Sequence, residues 1–183
     1  KATLFWVLVC GGISALYPLQ FLQRGKQGLR NVAGLKLFVI SAVWAIVTTI
    51  LPAMQSNLAF SFELGFLTVQ RFLFVMAITI PFDIRDLRID SPNINTLPYT
   101  LGVKTARRVA LFALFLAEMG AVVLYFNNLI SASNMIGQIF AYEATSILIY
   151  RSSPKRPDLF FSFGVEGTSI LLFSLVYIFT YFW

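Results

Sequence analysis

The sequence predicts an all-α fold, a polytopic transmembrane bundle of six helices in a single domain spanning 1–183. Three observations predict it. Of the 183 residues, 58% are hydrophobic and only 12% are charged, which is more apolar surface than a water-soluble domain of this size can bury. The apolar residues fall into six runs, about residues 2–22, 33–54, 63–83, 107–126, 129–150 and 159–182, each close to the ~20 residues a helix needs to cross the hydrocarbon core. These runs are too long and continuous, and too free of alternation, for a membrane barrel. Finally, 12 of the 14 basic residues lie in alternate connections. That is the charge pattern of a multi-pass membrane protein.

Taken in order, the first run ends at Tyr17 and Pro18 and gives way to a connection with Gly25 and Gly28 as breakers and Arg24, Lys26 and Arg30 as charges. The second opens near Lys36 and stops close to Pro52. The third carries Arg71 within the span and three aspartates at its end, and leads into the longest polar connection, Asp90 to Arg107. Glu118, Glu143 and Glu166 belong to the last three runs, and Pro154 and Pro157 precede the sixth. The connections at Gln55 to Phe62 and Asn127 to Ser131 carry no basic residue. The positive-inside rule then puts the connections rich in Arg and Lys, and with them the aspartates, on the cytoplasmic side, and both ends of the chain as given on the other. This distribution accounts for the net charge of +6 without nucleic-acid binding. Arg71 is too costly in a bilayer to stand alone, so an ion pair with a neighbouring helix is expected, Glu118 being first choice because it belongs to the next span. Cys10 is the only cysteine and supports neither a disulfide nor a metal site. The 19 phenylalanines suit lipid-facing helix surfaces as well as an aromatic tunnel, so they name no tunnel residue.

Asp83, Asp86 and Asp90 stand at i, i+3 and i+7, within roughly a 60° arc of one helical face at about 100° per residue. Like charges so placed repel, and a cation among them would reconcile the spacing. Oxygen-only ligands suit a hard ion such as Mg²⁺, which fills its remaining positions with water and with substrate phosphate oxygens, so a diphosphate is implied. In the connection that follows, Lys104 is placed to meet a phosphate as a point charge, and Asn95 and Thr96 to hydrogen-bond it. Arg107 and Arg108 read as membrane-surface anchors.

The run FDIRDLRID followed by INTLPYTLGVKTA resembles the second aspartate-rich motif, with its trailing loop, of the UbiA family of intramembrane prenyltransferases. Tyr17, Pro18, Arg24 and Lys26 resemble the Tyr-Pro and basic pair that end an earlier helix there. The chain departs from that pattern at Ile89 and Ser91, where the family often has Gly and a basic residue. The resemblance implies that these six helices are the fourth to ninth of a nine-helix protein, and that the chain continues upstream of Lys1. It implies Mg²⁺-dependent transfer of a prenyl group from a prenyl diphosphate to an aromatic or other lipophilic acceptor. Asp83 and Asp86 would be catalytic and, with Asp90, hold the metal; Lys104, Arg24, Lys26 and Asn95 would contact the diphosphate. The family's first aspartate cluster has no counterpart in this chain. That favours the rival expectation of a non-catalytic UbiA-like subunit of a membrane complex. A transporter would need polar groups strung through the bilayer, whereas these aspartates are bunched at one end.

Overall fold

The computed structural model describes residues 11–12, 34–88 and 96–182. Among these residues every regular element is helical, and five long helices are present: α1 Leu35–Gln55, α2 Phe62–Asp86, α3 Leu97–Phe126, α4 Ala132–Arg151 and α5 Phe160–Phe182. The expected first span, 2–22, lies outside the described residues apart from Gly11 and Gly12, so five helices are seen where the sequence predicts six. Four of them, α1, α2, α3 and α5, are long and apolar enough to cross a membrane. The fifth, α4, carries Asn134, Gln138, Glu143 and Ser146 and is not among them.

Helix α2 is central. It packs against α1 and α3, touches the first turns of α5, and makes lesser contact with α4, which packs between α3 and α5. Its start is marked by Ser61, whose side chain accepts the Leu64 amide, and Pro81 is buried within its last turns. A proline there removes one intrahelical hydrogen bond, and tight packing on both sides holds the helix together across the gap.

The close α2–α3 contact follows from sequence. Ala106, Ala110, Ala113, Ala117 and Ala121 recur at helical spacing and are all buried, so two backbones approach along a stripe with no long side chain between them. At the α4–α5 crossing, a methyl group on Gly137 would sit 2.9 Å from the Leu175 carbonyl oxygen and the Val176 Cα. Only hydrogen fits. Both α1 and α5 contain one wide turn, at Ile46–Ile50 and Phe160–Val165. Beside the first, the Thr49 and Thr68 hydroxyls meet at 2.9 Å and tie α1 to α2.

The fourth span departs from expectation. Helix α3 begins at Leu97, about ten residues before the expected start, with Pro98 in its first turn. It is broken at Gly102, whose φ of 78° and ψ of 155° lie in a region essentially closed to other residues. The second half of the polar connection expected at Asp90 to Arg107 is therefore helical, with Lys104, Arg107 and Arg108 inside α3.

The two ends of the bundle sort by charge. At one, Lys36 pairs with Asp83, and Arg88 Nη2 donates to the Arg156 carbonyl at 3.2 Å and lies 3.7 Å from Asp158. The start of α1 and the connections α2–α3 and α4–α5 thus meet. At the other end a cleft of about 150 Å³ is lined by Phe62, Glu63 and Phe66 of α2 and by Val123, Leu124, Asn127 and Leu129 at the close of α3.

Candidate functional site

The charged end of α2 is where the sequence places the site. Pro81 sets the final turns, which present Asp83 and Asp86 one turn apart. Asp83 is 2% exposed; its Oδ1 accepts a hydrogen bond from Lys36 Nζ at 3.1 Å. The lysine is itself 42% exposed, so its stem reaches inward from the mouth while its neighbours keep water. Asp86 is more open, and its Oδ1 accepts from Arg85 Nε at 2.7 Å. The Arg85 guanidinium lies 5.1 Å from the centre of the Phe82 ring and feels the charges of Asp158 and Glu166 as well as Asp86.

These pairs alter one step of the sequence argument. The repulsion between Asp83 and Asp86 does not require a metal ion for relief, because each carboxylate already meets a side-chain cation. As a donor set, two carboxylates at one mouth suit Mg²⁺, which takes one or two carboxylates together with water and phosphate. Among the described residues no group of three or more His, Cys, Asp or Glu side chains gathers as a ligand cluster. Asp90, the third expected ligand, and the expected phosphate contacts Arg24, Lys26 and Asn95 lie outside the described residues.

Lys104 is exposed just beyond the Gly102 break, and among the described residues no hydrogen bond or ion pair ties it to Asp83 or Asp86. Thr96 is buried; its carbonyl accepts both the Thr100 amide and the Thr100 hydroxyl. Arg108 is exposed, whereas Arg107 is half-buried, and among the described residues its Nε finds no hydrogen-bond partner.

Arg71 departs from expectation. Neither an ion pair nor a hydrogen bond involves it among the described residues, and Glu118 is not its partner. What does fill the interior near that depth is a neutral network that the sequence reading passed over. Gln70 Nε2 donates to the Ala117 carbonyl at 3.0 Å and to Gln138 Oε1 at 2.8 Å. Tyr142 donates to the same Oε1 at 3.3 Å, and Gln138 Nε2 to Asn134 Oδ1 at 2.7 Å. The signal was available: Asn134, Gln138 and Tyr142 stand at i, i+4 and i+8 on one face of α4.

Comparison of the chain with protein families, with curated proteins and with solved structures finds no match.

Proposed function

We propose that this chain takes part in Mg²⁺-dependent transfer of a prenyl group from a prenyl diphosphate to a lipophilic acceptor, with the charged end of α2 as its polar mouth on the cytoplasmic side of a membrane. The observation that carries the reading is a pair of carboxylates, Asp83 and Asp86, at the end of a helix apolar enough to cross a bilayer. The resemblance of the surrounding motif to the UbiA family supports it. Asp83, Asp86 and Asp90 would hold the ion, which when bound supplies neutralisation of charge on the departing diphosphate. Lys36 holds the buried Asp83 in place through its 3.1 Å contact, and Arg85 holds Asp86 at 2.7 Å. Lys104 stands in the right segment to meet phosphate oxygens, and Arg24, Lys26 and Asn95 complete the expected contacts.

A second reading rests on a specific observation. Both carboxylates are already countered, by Lys36 and Arg85, as they would be in a non-catalytic membrane subunit that keeps the fold and uses the charges as staples. The deciding experiment measures diphosphate release from a set of prenyl diphosphates, with Mg²⁺ and with a chelator. In the catalytic reading Asp83→Ala and Asp86→Ala each lower turnover by about 10² or more, the scale of losing one electrostatic group, while Arg108→Ala leaves it nearly unchanged. If prenyl diphosphate with Mg²⁺ gives no release and leaves the melting temperature unchanged, while Asp83→Ala lowers it, the subunit reading stands.

A further inference from the structure

Arg107 does not behave as its neighbour does. Both arginines stand where the apolar run of α3 begins, a place at which a membrane anchor keeps its polar atoms in water. Arg108 is exposed in that way. Arg107 is half-buried, and its Nε is the one buried side-chain nitrogen or oxygen without a hydrogen-bond partner among the described residues. A buried donor so placed is unfavourable until something meets it, and a guanidinium cannot escape by losing its proton.

The packing of α2 on α3 fixes its depth. The two helices run antiparallel, since the start of α2 and the close of α3 share the cleft at the far end. Gln70 lies opposite Gly120, where a methyl group would sit 3.3 Å from Gln70 Cγ. From Gln70 to Asp83 and from Gly120 to Arg107 the residue count is the same, so both paths run ~20 Å towards the charged end at 1.5 Å per residue. Arg107 therefore stands level with Asp83. Its charge is nonetheless in excess there: Lys36 meets Asp83, Arg85 meets Asp86 and Arg88 meets Asp158, and none of the described carboxylates forms an ion pair with Arg107.

We infer that Arg107 is a binding residue for a phosphate-type oxyanion, the diphosphate of a substrate or the phosphate of a membrane lipid, received at the depth of Asp83. The guanidinium offers Nε–H and an Nη–H as a planar fork that matches two oxygens of a phosphate. An oxygen at Nε gives the buried donor its partner, and the anion balances a cation that the neighbouring aspartates leave unpaired. Water would satisfy the donor but not the charge. For a diphosphate the inference rests on the proposed function and adds Arg107 to its phosphate contacts; for a lipid phosphate it stands independently of that reading.

The test uses the full chain in a phosphate-free maltoside detergent with two probes, inorganic diphosphate with Mg²⁺ and phosphatidylglycerol in mixed micelles, each titrated to a dissociation constant by calorimetry. At least one probe should bind the wild-type chain. Arg107→Gln should weaken that binding by about 10- to 100-fold, the range of one charge-assisted hydrogen bond, while Arg108→Gln leaves it unchanged. Arg107→Lys keeps the charge without the fork and should fall between the two, which preserves the test if the glutamine variant does not fold. The probe whose affinity depends on Arg107 identifies the source of the oxyanion. If the wild-type chain binds neither probe, or if the Arg107 variants bind both as tightly as the wild type, the inference is overturned. Turnover is not a readout, so a chain that binds diphosphate through Arg107 but releases none from a prenyl diphosphate sinks the proposed function alone.

Discussion

At the scale of single residues, the Lys36–Asp83 pair shows how burial decides what a charge is for. Asp83 is nearly inaccessible, and an ionised carboxylate in such a place needs compensation from hydrogen bonds and opposite charge. Lys36 supplies part of it from 47 positions away, which is why sequence spacing on α2 alone suggested a metal ion as the reconciling cation. No local rule joins those two positions. Replacing Lys36 with Met keeps the apolar stem and removes the charge, and should lower stability by about 1–3 kcal/mol, read as a fall in the melting temperature in detergent. The coupling should appear in a double-mutant cycle: once Asp83→Asn is present, Lys36→Met should cost markedly less. Additive losses would mean that the 3.1 Å contact contributes nothing of its own.

Secondary elements were more legible than the contacts between them. The runs expected at 33–54, 63–83 and 159–182 correspond to α1, α2 and α5 within a few residues, because length and apolarity fix where a chain can cross lipid. Helix α3 was legible only in its apolar part. Gly102 carries no signal that sets it apart in the sequence, yet it separates two helical pieces by a backbone conformation that other residues avoid. Gly102→Ala should therefore cost on the order of 1–3 kcal/mol, although no atom stands within 4 Å to clash with the new methyl. Gly137→Ala tests the opposite cause. Its φ is ordinary, but the new methyl would meet Leu175 and Val176, so α4 and α5 must separate. The expected loss is again about 1–3 kcal/mol, now through overpacking. The two can be told apart with Gly137→Ser, which should be as harmful as Ala, and with Asn at 102, which tolerates positive φ better than Ala does and should recover part of the loss.

At the scale of the whole molecule, the alternation of charge along the chain becomes a division of the bundle into two ends. Arg88 reaching Asp158 and the Arg156 carbonyl joins two basic connections, and the cleft shared by Phe62 and Asn127 joins the connections that carry no basic residue. The sequence carried this information in the placement of Lys and Arg. What it did not carry was the interior: Arg71 was expected to be stapled to Glu118, yet the neutral amides of Gln70 and Gln138 do the stapling, at less desolvation cost than a buried ion pair. The two-ended arrangement leads to a labelling prediction that needs no knowledge of activity. With Cys10 replaced by Ser, single cysteines at Asn57 and Asn128 should react with a membrane-impermeant thiol reagent from one side of sealed vesicles, and cysteines at Arg88 and Lys155 from the other. The positive-inside rule assigns the second pair to the cytoplasm. Reactivity of residues 57 and 88 from the same side would break the bundle at α2, since one crossing of Phe62–Asp86 separates them. Reactivity of 88 and 155 from opposite sides would be incompatible with the Arg88–Asp158 contact. If the pairs divide as expected but 88 and 155 face outward, the helices stand as described and only the cytoplasmic assignment of the aspartate mouth falls, and with it the access of a cytosolic diphosphate to Asp83 and Asp86.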